Sequence, residues 1–193
     1  MPFCKEKKLL FIHIPKTGGT SIEHSFRDFN KEIGVGIKDN KAMQHYTYFD
    51  YKKNLSEYFN NFMKFSIVRN PYSRIVSDFY FLNSMKDFKT FRNMDEYLDY
   101  AEDCINTNNF NRTIYDDHFM PQYYYLEDIT KIKIFKTENR KKLNNFLESH
   151  GLEIYHKNKM RKGVKPINLT REQANRINKL YRIDFKIFGY RMH

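Results

Sequence analysis

The chain has 193 residues, enough for one domain with a real core, and carries 34 Lys and Arg against 23 Asp and Glu, a net charge of +11. That balance suits anionic partners, yet the basic residues are spread throughout. No run of five like charges and no interleaved basic–aromatic repeat appears, which argues against a nucleic-acid module. Two cysteines, Cys4 and Cys104, exclude a disulfide framework, and neither stands in a metal-ligand spacing, so a reducing compartment is expected and no metal.

The chain opens MPFCKEKKLLFIHIP, basic residues before an apolar run of about six that contains a histidine, too short for a signal core or a membrane span. The expectation is a soluble, cytoplasmic protein. Leu9 to Ile14 reads as a strand buried on both faces. Pro15 ends it, and Lys16-Thr17-Gly18-Gly19-Thr20-Ser21 turns the chain into a helix whose apolar face is Ile22, Phe26 and Phe29. Strand, glycine turn and helix N-terminus together make an anion site, because free backbone N–H groups and the positive end of the helix dipole point into the turn. Lys16 adds a mobile charge beside it. Thr20 and Glu23 have the spacing of a capping box, so the Thr20 hydroxyl either caps its helix or binds the anion. The loop is no Walker A sequence, since the lysine precedes the glycines.

Gly34 and Gly36 mark a loop, followed by the polar, aromatic stretch Met43 to Lys53 with His45 near its start. Leu55, Phe59 and Phe62 predict a short helix. Lys64 to Arg69 is a second buried strand, stopped by Asn70 as helix cap and Pro71 at the first helical position. Ile75, Val76, Phe79 and Leu82 give the new helix its apolar face, while Ser73 and Ser77 share another stripe. Arg69 at the strand end and Ser77 two turns along can converge on one anion. Met94, Tyr97, Leu98, Ala101 and Ile105 line an amphipathic helix. Lys131 to Phe135 is a third strand. Thr137-Glu138-Asn139 leads into a helix with Leu143, Phe146 and Leu147 inward, ended by Gly151, and a Thr170–Gln173 capping box opens the last helix.

Two of these stretches, in this order, carry a resemblance. PKTGGTS resembles the 5′-phosphosulfate loop of sulfotransferases that use 3′-phosphoadenosine 5′-phosphosulfate (PAPS), and Arg69 to Ser77 resembles the same family's 3′-phosphate motif. The segment Asp117-His118-Phe119-Met120-Pro121-Gln122 and the tail YRIDFKIFGY are similar to the branch that holds the carbohydrate sulfotransferases. Arg161-Lys162-Gly163 resembles the basic loop that closes over the 3′-phosphate in cytosolic members, although its surroundings differ.

The resemblance implies a three-layer α/β, P-loop-like fold with a central, mainly parallel sheet, a single domain over 1–193. It implies PAPS as cosubstrate, adenosine 3′,5′-bisphosphate as product, and a hydroxyl acceptor, a glycan or glycolipid. Lys16 and the amides of Thr17, Gly18, Gly19, Thr20 and Ser21 are then expected at the phosphosulfate, with Arg69, Ser77 and the 161–163 loop at the 3′-phosphate. Lys16 also serves catalysis at the leaving phosphate. The acceptor hydroxyl needs a base, and His45 is the expected one, in an H-x-T pattern similar to that branch's active-site histidine. His118 is its rival, and His13, inside the first strand, reads as a satisfied core histidine. A P-loop small-molecule kinase and a basic nucleic-acid-binding domain are the competing functions.

Overall fold

The computed structural model describes residues 2–27, 37–38, 41–153 and 167–193. In chain order its elements are β1 (Phe3–Cys4), β2 (Leu9–Ile12), α1 (Thr20–Arg27), β3 (Ile37–Lys38) and β4 (Lys41–Ala42). There follow α2 (Tyr48–Asn54), α3 (Ser56–Phe59), β5 (Met63–Val68), α4 (Pro71–Leu82) and α5 (Met94–Asn106). Then come α6 (Gln122–Leu126), β6 (Ile132–Lys136), α7 (Arg140–Glu148), α8 (Arg171–Leu180) and α9 (Arg182–Phe188). Phe29, Gly34, Gly36 and Arg161-Lys162-Gly163 lie outside the described residues.

The sheet is mixed, in the order β1-β2-β5-β6, with β2, β5 and β6 parallel and only the short β1 antiparallel. Side chains alternate across it, as the pleat requires. Leu9 and Phe11 of β2 join Phe65 and Ile67 of β5 against Ile22 and Phe26 of α1 and Phe146 and Leu147 of α7. Leu10 and Ile12 face the other way, onto Tyr48, Tyr51, Phe59 and Leu126 of α2, α3 and α6. Both faces are covered, which is why β2 reads as an unbroken apolar run. A further cluster gathers α4, α5, α8 and α9 around Ile75, Tyr97, Phe119, Tyr181 and Phe185.

The register places Ile12 opposite Ser66 and Val68 opposite Lys136, so the three parallel strands release their carboxyl ends along one edge. Ligands of open α/β sheets bind outside that edge. Each strand departs slightly from its expected bounds, for a local reason. β2 stops at Ile12, two residues early; beyond it the Ile14 carbonyl accepts from the Thr17 hydroxyl instead of a neighbouring strand, and the His13 ring turns to Glu23. β5 ends at Val68 because the Gln122 side chain takes both the N–H and the carbonyl of Arg69, at 2.9 Å each, in place of a neighbouring strand. β6 begins at Ile132 because Lys131 closes a 3-10 turn, Ile129–Lys131. The Thr20–Glu23 capping box does not form. Helix α1 starts at Thr20, with the Gly19 carbonyl accepting from Ile22 and Glu23, and the Glu23 carboxylate turns to His13.

Other signals hold. Asn70 caps α4 through Tyr72 N–H with Pro71 in the first turn, and the Thr170–Gln173 box is complete. Gly151 takes the left-handed conformation that ends α7, with φ +67°, its N–H donating to the Glu148 carbonyl and the Leu152 N–H to the Leu147 carbonyl. Thr47 and Asp50 form a capping box at α2 that the sequence reading passed over. No helix among the described residues is long and apolar enough to cross a membrane.

Candidate active site

The loop after β2 is built around two backbone conformations. Lys16 sits at φ +66°, the left-handed region that a lysine adopts only when its surroundings impose it, and Gly18 at φ +86°. The imposing contacts are visible. Arg69 Nη1 donates to the Lys16 carbonyl at 3.1 Å, and Thr17, buried, donates its hydroxyl to the Ile14 carbonyl at 2.8 Å. Thr137, just beyond β6, donates to the Thr17 carbonyl at 3.2 Å. Among the described residues, none of the N–H groups of residues 17–21 donates to a backbone carbonyl, so the turn and the first residues of α1 present free donors.

Lys16 extends over the ring of Phe81, its Nζ 3.8 Å from the centroid. Burial pulls its pKa down to about 8; nearby Asp78 opposes this and Arg69 adds to it. Among the described residues no carboxylate reaches ion-pair distance of it. Arg69, also held below its ordinary value by burial, stands beside it. Two partly desolvated cations and a row of free N–H groups form a site that fits a multiply charged anion.

Helix α4 turns one stripe of side chains toward this loop: Arg74, Asp78 and Phe81, at the i, i+4, i+7 spacing of a helical face. Arg74 is buried, donating to the Pro15 carbonyl at 3.2 Å and the His118 carbonyl at 2.7 Å, so one guanidinium ties the loop to the segment before α6. Asp78 accepts from His118 Nδ1 at 2.6 Å and from the Tyr97 hydroxyl at 2.9 Å. Phe81 stacks on His118 with centroids 5.3 Å apart and planes 3° from parallel. None of the three stands out in the sequence, where the one clue is an Arg and an Asp four apart on a largely apolar helix.

Three histidines then stand in a row. The rings of His13 and His45 meet edge-on at 5.1 Å, and those of His45 and His118 at 5.2 Å. Each Nδ1 reaches a carboxylate: His13 to Glu23 at 2.7 Å, His45 to Asp117 at 2.9 Å, His118 to Asp78 at 2.6 Å. An ionised carboxylate only accepts, so each Nδ1 carries a proton, and in the neutral ring Nε2 keeps the lone pair. Burial lowers the pKa of His45 against the opposing pull of Asp117, which favours the neutral ring. Burial alone would raise the Glu23 carboxyl, but His13 holds it below its usual value. His45, Asp117 and His118 bring donor atoms within 4.8 Å of one another, a grouping invisible as a metal-ligand spacing in the sequence. With every Nδ1 taken by a carboxylate and Arg74 bonded beside it, the grouping is suited to proton transfer.

The fold thus brings Lys16, Thr17, Gly18, Gly19, Thr20, Ser21 and Arg69 into one corner, with His45 reached through Phe81 and His118. Ser77 lies half-buried on α4 between Arg74 and Phe81, and among the described residues no hydrogen bond joins it to Arg69, whose Nη1 goes to the Lys16 carbonyl. His118, the rival base, is as fully built into the row as His45. A groove lined by Thr17, Gly18, Ser21, Thr137, Arg140 and Asn144 runs from the loop between α1 and α7.

A search of curated proteins returned no match, and neither did a search of solved structures. A family model does match: the one described as the sulfotransferase family aligns with residues 1–191, nearly the whole chain. The chain belongs to the sulfotransferase family.

Proposed function

We propose that the protein transfers a sulfuryl group from PAPS to a hydroxyl of a carbohydrate, a glycan or glycolipid, on a P-loop-like fold. Family membership supports sulfuryl transfer. The observation that carries the finer reading is the placement of a desolvated Lys16 and loop N–H groups, unpaired among the described residues, next to a row of carboxylate-held imidazoles. One half receives a phosphate leaving group; the other receives a proton.

In this reading the 5′-phosphosulfate lies on the N–H groups of residues 17–21 with Lys16 at its bridging oxygen. Arg69 and Ser77 take the 3′-phosphate, joined by Arg161, Lys162 and Gly163. The acceptor oxygen bonds to sulfur as the sulfur–oxygen bond to the 5′-phosphate breaks, and negative charge collects on the phosphate beside Lys16. His45 Nε2 takes the hydroxyl proton, and Asp117 steadies the imidazolium that results. Gln44 Nε2, 3.5 Å from His45 Nε2, covers that atom until a hydroxyl replaces it.

A sugar acceptor is favoured by the net charge of +11, suited to acidic glycans, and by Phe49 and Tyr124, which stand 58% and 42% exposed as flat surfaces of the kind sugars stack on. Incubation with sulfur-labelled PAPS and a panel of sulfated and unsulfated oligosaccharides tests the reading. Label should pass to at least one acidic oligosaccharide. Transfer to none of them, with turnover on a simple phenol instead, would refute the carbohydrate assignment.

A further inference from the structure

His13 takes no part in the transfer just outlined, yet its ring meets both halves of the site. On one side lies Gly19. A Cβ added there would fall 2.2 Å from His13 Cδ2 and 2.4 Å from Nε2, so loop backbone and ring are in direct contact. On the other side His45 meets the ring edge-on at 5.1 Å. Phe11 stacks against its face at 5.4 Å, and Glu23, ten residues along and on the helix that the loop opens, holds Nδ1 at 2.7 Å. The ring is 4% exposed and cannot shift without moving the loop, the helix or His45.

We propose that His13, held by Glu23, is a positioning residue whose ring is the spacer that fixes the distance between the anion-binding loop and His45. The inference rests on the donor and base assignments above. Transfer requires reacting atoms about 3–3.5 Å apart, and an error near 1 Å costs about 10²-fold, so a rigid spacer between leaving-group site and base has a direct kinetic consequence.

Gly19 supplies the test, because its φ is not positive and the three atoms nearest an added Cβ all belong to the His13 ring. Gly19→Ala is made in the wild-type and His13→Ala backgrounds, and adenosine 3′,5′-bisphosphate is titrated into each protein. Gly19→Ala should weaken binding about 10-fold in the wild type and less than about 2-fold where the ring is gone, the non-additivity expected of touching groups. At saturating PAPS, His13→Ala should lower kcat about 10²-fold, partly restored by imidazole in solution. If His13→Ala does not fold, Glu23→Ala, which frees the ring, replaces it and should lose kcat likewise; Glu23→Gln, which keeps an acceptor, should retain about tenfold more. Equal losses in both Gly19 backgrounds, or an unchanged kcat in His13→Ala and Glu23→Ala, would overturn the spacer while leaving the function intact. A wild type that binds no bisphosphate would overturn the function instead. The spacer contact is then read from melting temperature, which Gly19→Ala should lower only where His13 is present.

Discussion

The two halves of the site are made in opposite ways. The anion loop is one continuous stretch, Lys16 to Ser21, and its donors are backbone groups whose direction comes from two left-handed residues and a helix start. The histidine row is collected from the residue just after β2, the turn Met43–His45 and the turn Asp116–Phe119, with carboxylates from α1, α4 and that last turn. Its working atoms are side chains, each oriented by a second side chain. A loop of this kind depends on few residues and binds wherever its backbone conformation survives. A row of this kind depends on the whole fold, because every ring answers to a partner on another element. Binding and proton transfer should therefore be separable by mutation.

The strongest break of that separation is at His45. His45→Ala should cut transfer by roughly 10²–10⁴-fold, the range for lost acid–base help, while bisphosphate affinity stays near wild type. His118→Ala, assayed beside it, sharpens the assignment: loss of turnover in that variant alone would place the base at His118. Lys16→Ala strikes the other half. Turnover should fall by about 10²–10³-fold from lost charge stabilisation at the leaving phosphate, seen in single-turnover transfer.

A smaller effect is expected at Arg69. Arg69→Ala removes a charged contact and the bond to the Lys16 carbonyl, and should weaken bisphosphate binding by about 10–100-fold in calorimetry, a hydrogen bond to a charged group being worth about 1.5–3 kcal/mol. Undiminished affinity would put the anchor elsewhere.

The mildest and most diagnostic effect is the pH profile of kcat/KM, which reports the free enzyme. Lys16 must be protonated to stabilise the phosphate, so activity should decline as pH rises through about 8. His45 must be neutral to accept a proton, and burial lowers its pKa, so the acid limb should fall below the ordinary histidine value. His45→Ala should abolish the acid limb and leave the alkaline one; Lys16→Ala should do the reverse.

Legibility in the sequence follows the same division. The loop could be read because strand, glycine turn and helix start are local, although the left-handed Lys16 and its neighbour Thr17 also lean on Arg69 and Thr137 from other elements. The three parallel strands could be read as apolar runs, with ends displaced by one or two residues where side chains such as Gln122 intervene from far along the chain. The row could be read only in part. His45 stands out by its pattern, but its partner Asp117 is 72 residues away, and nothing in a one-dimensional spacing pairs them. His13 reads as a core histidine, and it is buried and satisfied; that it also touches Gly19 and His45 is a property of packing. Arg74 and Asp78 were hidden by their neighbours, since a helix rich in Ile, Val, Phe and Leu announces an apolar face and not the charged stripe beside it.

The central claim is that a nucleotide-binding loop and a proton-accepting row work side by side and can be taken apart. Titration of adenosine 3′,5′-bisphosphate into wild type, Lys16→Ala and His45→Ala, with ATP as control, tests it most directly. The account predicts tight binding to the wild type in preference to ATP, an unchanged constant within about 2-fold in His45→Ala, and at least about 10-fold weaker binding in Lys16→Ala. A wild type that prefers ATP, or a His45→Ala variant that loses the bisphosphate as severely as Lys16→Ala, would contradict it.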